Sequence, residues 1–409
     1  MTAPPPGFAG LHTRSAAAAR WLAVALGFAI PVSVAADGVL VAAFVLAWLA
    51  SGDFAAKWRA LRENPAAVAA LALLALLALG TLYGPAPADL AVAQLGKYQD
   101  LLLVPMLASV FTEARFRRHA VWAFLAGMLL TLALSYLIGL GLFPDGVFRG
   151  TREDPTVFRL HVTQNFFMAY AAFAFACLAR DASNKARRGL LYAVAFLALF
   201  NAIFMVQGRT GYLVAGLLLV FFLFERTGWK SFAIGIIALT LLVGSAFFGS
   251  TSFHDAVNRG ITEYSQWRPD QPADTSIGWR LEFYANTLRM IRERPVAGVG
   301  TGGFPIVYAQ RVEGTGRVDP GHPHSEYLLM AAQLGVVGLA GFIGLLVTHF
   351  AAARRVSPRL DRSLATGLVL AMAMGCLFNT LLLDHSEGLF YCWLIGVLCA
   401  GSEPRGTST

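Results

Sequence analysis

The sequence changes from polar to apolar at His322-Pro323-His324-Ser325-Glu326-Tyr327-Leu328. Upstream of these residues, positions 250–324 form a polar stretch between two long hydrophobic segments. Such a stretch cannot cross a bilayer, because lipid offers no hydrogen-bond partners to irregular backbone. We therefore expect a loop at the membrane surface, with any chemistry of the protein assembled where this loop meets the bilayer.

The composition is typical of a polytopic membrane protein. Of the 409 residues, 57% are hydrophobic and 14% are charged, and the mean hydropathy is +0.60, whereas a soluble domain is about a quarter charged. A membrane span needs roughly 20 mostly apolar residues. The candidate spans, some of them shorter, are residues 16–34, 38–50, 66–83, 98–111, 120–142, 165–180, 188–206, 211–225, 231–249, 325–350, 363–383 and 388–401. The sequence therefore predicts an all-α polytopic membrane protein with about twelve transmembrane helices.

Three regions follow from this pattern: residues 1–249 with the first nine helices, the outer loop 250–324 with amphipathic helices, and residues 325–409 with the last three helices and the tail. If alternate connections lie on opposite sides, one side holds 19 of the 32 Lys and Arg residues but only 7 of the 24 Asp and Glu residues. Short basic connections stay in the cytoplasm. Both termini are therefore predicted to be cytoplasmic, and the large loop is predicted to lie outside.

The first hydrophobic segment has two interpretations. Arg14, Arg20, the apolar run after them and Val34-Ala35-Ala36 fit a cleavable secretory signal. We favour a retained anchor, and cleavage would leave the later topology unchanged. The net charge of +8 is explained by the basic cytoplasmic connections, so nucleic acid is not an expected partner.

Within the outer loop, residues 275–294 have the pattern of an amphipathic helix. Thr275 or Ser276 can cap its start, and Pro295 ends it. Its apolar positions predict packing on the membrane surface or against the spans. The run Gly298-Val299-Gly300-Thr301-Gly302-Gly303 that follows suits close backbone approach and, as a hypothesis, closure of the loop over a substrate.

Arg209 lies in a short turn between two spans, close to the start of a helix. It can bind an anion such as phosphate, which guanidinium grips with two hydrogen bonds, helped by the N-terminus of that helix. Alternatively it is an interfacial anchor that reaches lipid headgroups. Arg280, on the amphipathic loop helix, has a solvated helix face as its alternative.

His322 and His324 flank a proline just before the tenth candidate span. A histidine at the interface can act as a general base or proton shuttle, because its ordinary pKa is near 6.5. A purely structural histidine is the alternative. Zinc is disfavoured, because no third histidine lies nearby and the spacing matches no common zinc motif.

Several common sites are absent from the sequence. It contains no Asp-x-Asp pair and no P-loop, and its four cysteines all lie in apolar segments. The chain therefore lacks the usual carboxylate pair for a metal on a sugar diphosphate, an ATP site and a thiolate metal site. Outward arginines, among them Arg149, Arg152 and Arg159, could offset the charge of a diphosphate instead.

Several short motifs together resemble those of the O-antigen ligase and polymerase superfamily. They are Arg209-Thr210-Gly211, Trp279-Arg280-Leu281-Glu282, Arg294-Pro295, Gly298-Val299-Gly300-Thr301-Gly302-Gly303-Phe304, and His324-Ser325-Glu326-Tyr327-Leu328 followed by Leu334-Gly335-Val336-Val337-Gly338-Leu339. One departure is Ser325, where many members of the superfamily have Asn.

The resemblance implies an inverting, metal-independent and cofactor-free glycosyltransferase with a GT-C-like fold in the bacterial inner membrane. The donor would be a glycan on undecaprenyl diphosphate, and for the ligase the acceptor would be a lipid A-core sugar. His324 would act as the base, while Arg209 and Arg280 would hold the diphosphate and stabilise its growing charge. The residues assigned to substrate binding are Arg149, Arg152, Arg159, His161, His322 and Tyr212.

Other functions remain open at this stage. A polymerase or a protein O-oligosaccharyltransferase would use the same donor with a different acceptor. A single large loop before the tenth candidate span, with no extra domain after it, favours the ligase. A transporter of lipid-linked glycan would break no bond, but transporters usually carry ionisable groups near the bilayer midplane, and here these groups cluster at span ends.

Overall fold

A computed structural model describes residues 6–401, apart from 145, 270 and scattered positions between 229 and 250. All regular elements in this part of the chain are helical. The α-helices are α1 (Pro6–Val32), α2 (Val34–Ala50), α3 (Phe54–Glu63), α4 (Pro65–Gly80), α5 (Ala88–Gly96), α6 (Leu103–Ala108), α7 (Ala114–Gly139), α8 (His161–Arg180), α9 (Lys185–Phe200), α10 (Arg209–Thr227), α11 (Thr251–Gln266), α12 (Ser276–Glu293), α13 (Gly303–Val312), α14 (Glu326–Ala353), α15 (Arg359–Gly375) and α16 (His385–Leu398). A 3₁₀ turn at Gln99–Leu102 and a π-helical turn at Asn201–Met205 adjoin α6 and α9.

Five helices of the described part are long and apolar enough to cross a membrane. They cover His12–Val32, Ala114–Gly139, His161–Arg180, Lys185–Met205 and Glu326–Ala353. The pair α2 and α3, bent by 114°, would supply a sixth span. The chain is thus a multi-pass, all-helical membrane protein, as predicted. The twelve-helix layout and the GT-C-like fold stay predictions, and the ninth candidate span, 231–249, lies largely outside the described residues.

The loop helix α12 begins and ends where the sequence predicts. The Thr275 hydroxyl accepts a hydrogen bond from Gly278 N at 3.2 Å, and the helix stops before Pro295. Phe283 and Met290 are buried, because α12 packs against α14. The apolar face of α12 therefore packs the long loop against helix α14.

The glycine run after α12 is fixed between α4 and α14. Gly300 N donates to Gln333 O at 2.8 Å, and Thr301 N donates to Gly80 O at 2.9 Å. Gly300 has a φ of +82°, and a Cβ there would lie 2.0 Å from Tyr83 O. Only glycine can occupy such a position. The predicted close backbone approach is confirmed.

The eleventh candidate span, 363–383, is wrong at its C-terminal end. The helix α15 ends at Gly375, and residues 376–384 form a turn before α16. The side chains of this turn are mostly apolar. Two of its backbone N–H groups, those of Leu382 and Leu383, donate to the Glu326 carboxylate at 3.1 and 3.2 Å and not to a helical carbonyl oxygen. Hydropathy indicates burial and does not indicate which group satisfies a backbone N–H.

Candidate active site

The Arg209 turn is built around a buried asparagine of α8. The Asn165 amide donates to the carbonyl oxygens of Val206 and Gly208, both at 3.1 Å. A Cβ on Gly208 or Gly211 would lie 2.5 Å from an Asn165 side-chain atom, so both positions require glycine. Arg209 is therefore held as the first residue of α10, with an exposed side chain. This confirms its predicted place at a helix start.

A cavity of about 240 Å³ opens at this turn. Its lining includes Arg209 and Tyr212 from α10, His161 from α8, Arg259 from α11 and Arg280 from α12. Three arginines from three helices thus converge on one space. We call this space the arginine cavity.

The arginine cavity is electropositive. Among the residues that the structure describes, its lining includes no Asp and no Glu. Burial lowers the pKa of Arg280; Tyr284 opposes this shift, and the positive charge of Arg209 adds to it. The charges of Arg209 and Arg280 therefore act on one another across this space. A concave surface of this kind attracts anions and can grip phosphate with paired N–H groups.

The helix that carries Arg280 also holds His324. The His324 ring stacks on Phe283 of α12, with ring centroids 5.8 Å apart. The Tyr284 hydroxyl donates to the His324 carbonyl oxygen at 3.3 Å. His324 has a φ of +54°, in the left-handed region that non-glycine residues rarely adopt. Strain of this kind persists where the surroundings fix it, and it clusters at functional sites.

The environment of His324 favours its neutral form. Burial, followed by the charges of His322 and Arg280, lowers the pKa of His324 to about 4. The His322 ring lies 4.6 Å away, and burial together with Lys97 lowers the pKa of His322 as well. A neutral imidazole can accept a proton. The geometry is therefore compatible with a histidine base, and the choice between the two rings stays a prediction.

Ser325, the departure from the superfamily pattern, caps α14. Its hydroxyl accepts from Leu328 N at 3.5 Å and lies 3.4 Å from Cys376 O. Asn caps helices as well as Ser does. The substitution therefore keeps the local structure that places His324 before the helix.

The arginines of the 143–164 connection, which the sequence predicts to face outward, lie apart from the arginine cavity. Arg159 is 4% exposed and bonds the Asp37 carboxylate at 2.5 Å. Arg152 lines a separate cavity with aromatic walls, and Arg149 is exposed. Substrate binding by these three residues stays a prediction, and Arg159 already has a partner of opposite charge.

Sequence reasoning missed Arg259. This exposed residue of α11 lines the arginine cavity opposite the Arg209 turn. Nothing in its local pattern separates it from other loop arginines such as Arg268 or Arg289. Only the packing of α11 beside α12 brings it to the site, and that contact has no signal in a single sequence.

A known protein family matches the part of the chain that carries the candidate site. Residues 193–343 match the family model described as O-antigen ligase. The matched stretch contains the Arg209 turn, α12 and both histidines, so the resemblance seen in the motifs is confirmed. An uncharacterized protein of Haemophilus influenzae is 25% identical over 267 residues, which are 61% of this chain and 63% of that relative. The chain thus spans less than two thirds of the relative's length.

Proposed function

We propose that this chain, a member of the O-antigen ligase/polymerase superfamily, is a ligase that transfers a glycan from undecaprenyl diphosphate to a lipid A-core sugar hydroxyl at the periplasmic face of the inner membrane. The observation that carries the proposal is the arginine cavity, where Arg209, Arg259 and Arg280 converge on a space with no carboxylate among its described lining residues. A diphosphate is the anionic part of the donor. Guanidinium groups match its oxygens in charge and in geometry.

In this mechanism His324 removes the proton from the acceptor hydroxyl while its oxygen attacks the anomeric carbon. The bond from that carbon to the diphosphate oxygen breaks, and its electron pair stays on the diphosphate. Attack on the face opposite the leaving group inverts the configuration. Arg209 and Arg280 stabilise the charge that develops on the leaving group, which is where fixed charges accelerate a reaction most.

The neutral state of His324 supports its role as the base. Its pKa of about 4 means that the ring is unprotonated when the acceptor arrives. The same shift makes it a weak base in the free enzyme. Bound diphosphate would place negative charge near Arg280 and so raise the basicity of His324 when it is needed, which links donor binding to acceptor activation.

Transfer in vitro tests the proposal. Purified protein in detergent is mixed with undecaprenyl-diphosphate-linked glycan and lipid A core, with a chelator present and ATP absent. We expect the glycan to appear on lipid A core with wild type and not with His324→Ala. The matched control is His254→Ala, which removes another histidine of the outer loop and should leave transfer intact.

The product separates the alternatives. A glycan that lengthens on its own lipid carrier identifies a polymerase, and a glycan on a protein hydroxyl identifies an oligosaccharyltransferase. No transfer to any of these acceptors contradicts an enzyme and favours a transporter of lipid-linked glycan.

A further inference from the structure

The turn between α15 and α16, residues 376–384, touches the segment that carries the histidines. Glu326 N, at the start of α14, donates to Asn379 O at 3.2 Å. The Thr380 hydroxyl lies 3.3 Å from His322 Nδ1. The turn therefore contacts the backbone N–H of Glu326, just after the histidine pair, and one ring nitrogen of His322.

The same turn reaches the Arg209 turn through one side-chain contact. Asn379 Nδ2 donates to Thr210 Oγ1 at 2.5 Å. Asn379 is 7% exposed and Thr210 is 4% exposed, so bulk water does not compete for this bond. Thr210 directly follows Arg209 in the first turn of α10. A buried and well-shielded hydrogen bond of this kind fixes the separation of the segments that it joins.

We propose that Asn379 is a positioning residue that sets the separation between Arg209 and His324. The inference rests on the proposed function, in which Arg209 holds the leaving diphosphate and His324 activates the acceptor. The backbone oxygen of Asn379 holds the histidine side and its amide nitrogen holds the arginine side, so a single residue connects both. Asn379 lies beyond residues 193–343, where the family model matches.

The expected effect follows from reaction geometry. Reacting groups must be held in line, and a displacement of about 1 Å can lower a rate about 10²-fold. Asn379→Ala removes neither arginine that is proposed to hold the diphosphate, so binding of the diphosphate should change little. Its kcat should fall about 10- to 100-fold, because the base and the leaving group no longer keep a fixed separation.

The experiment compares Asn379→Ala with Thr210→Val, which removes the acceptor oxygen with little change of shape. Transfer kinetics give kcat, and direct binding of undecaprenyl diphosphate gives Kd. We expect both variants to lose kcat with Kd nearly unchanged. The double variant should lose no more than either single one, because all three lack the same hydrogen bond. Thr210→Ser, which keeps the oxygen, should lose less than Thr210→Val.

Asn64→Ala is the matched structural control. Asn64 is also a buried asparagine whose amide joins distant segments, donating to Cys399 O at 3.1 Å. It lies away from the arginine cavity. Its loss should lower Tm and leave kcat close to that of wild type. A kcat of Asn379→Ala equal to that of wild type, or a loss equal to that of Asn64→Ala, would overturn the inference.

A second readout does not depend on transfer. Diethyl pyrocarbonate acylates accessible histidines, and peptide mass spectrometry measures the modification of His324 with and without undecaprenyl diphosphate. We expect the bound diphosphate to protect His324 in wild type and to protect it less in Asn379→Ala at saturating ligand. Equal protection in both would overturn the inference. Protection in wild type without transfer to any acceptor would overturn the proposed function alone.

Discussion

The buried arginines and the cavity arginines of this protein differ in what faces them. The Arg117 side chain is 5% exposed and bonds the Asp361 carboxylate at 2.8 Å. Arg209 and Arg280 instead line a cavity where the described part of the chain contributes no carboxylate. The charge of a guanidinium group that is paired within the fold is neutralised by its carboxylate partner. An arginine that faces an open cavity can instead bind an anion from outside.

The same comparison bears on the assignment of Arg159 to donor binding. The sequence places Arg159 among the donor-binding arginines because it lies in a connection that is predicted to face outward. The structure pairs it with Asp37 of α2, a residue more than 100 positions earlier in the chain. Its pairing resembles that of Arg117 more than the open position of Arg209. The type of residue and the side of the membrane are therefore insufficient to identify a ligand-binding arginine.

The largest expected effect is a loss of stability when an arginine of a buried ion pair is removed. Arg117→Ala leaves Asp361 buried without its partner, and breaking a buried pair in this way typically costs about 3–5 kcal/mol. The variant should unfold at a much lower temperature in detergent. The exposed Arg355 serves as the control, since Arg355→Ala should unfold like wild type. An Arg117→Ala protein as stable as wild type would end the distinction between the two classes.

Replacement of an arginine that lines the arginine cavity should lower turnover and leave stability nearly unchanged. Arg209→Ala or Arg280→Ala removes a group that stabilises the leaving charge, and such a loss typically lowers kcat about 10²–10³-fold. Because neither arginine forms an ion pair with a carboxylate among the described residues, Tm should stay close to that of wild type. The matched control is Arg292→Ala, an exposed arginine on the same helix α12. Normal turnover in Arg209→Ala would remove it from the mechanism.

The fold could be predicted in part from the sequence. The polar stretch, the capped helix α12 and the helix start at Arg209 each carry a local signal: a change of hydropathy, a capping residue before an apolar pattern, and a turn with glycines. The end of α15 carries none, because residues 376–384 are mostly apolar, yet the backbone N–H groups of Leu382 and Leu383 are bound by Glu326. Hydropathy cannot separate a buried turn from a buried helix.

The candidate site was predictable to the same degree. Motif order points to Arg209, Arg280 and His324; the structure places both arginines at the arginine cavity and His324 against Phe283 and Tyr284 of α12, while their roles stay predictions. The motifs do not indicate Arg259, which reaches the cavity through the packing of α11, or the proposed positioning residue Asn379, which lies in the turn between α15 and α16. Both depend on contacts between segments distant in sequence, which a single chain does not reveal.

The pH dependence should sharpen the comparison. His324 acts as a base only when unprotonated, so activity is lost on the acid side of its pKa. With burial, His322 and Arg280 lowering that pKa to about 4, kcat/KM should stay flat down to about pH 5 and fall below it, whereas an ordinary histidine would cause the fall near about pH 6.5. In Arg280→Gln one lowering charge is gone, and the acid limb of the residual activity should move to higher pH. An unmoved limb would mean that Arg280 does not act on His324.

The smallest expected effect is that of a chelator. If the guanidinium groups of the arginine cavity offset the diphosphate charge, no divalent cation is needed for that task, and excess EDTA should leave the transfer rate of wild type unchanged. Adding Mg²⁺ should likewise fail to restore Arg209→Ala, because proteins usually hold Mg²⁺ with one or two carboxylates in addition to the phosphate oxygens of the substrate, and the described residues of the cavity lining include no carboxylate. A wild-type rate that falls with EDTA and returns with Mg²⁺ would contradict this, and would make the cavity arginines auxiliary to a metal that shares their task.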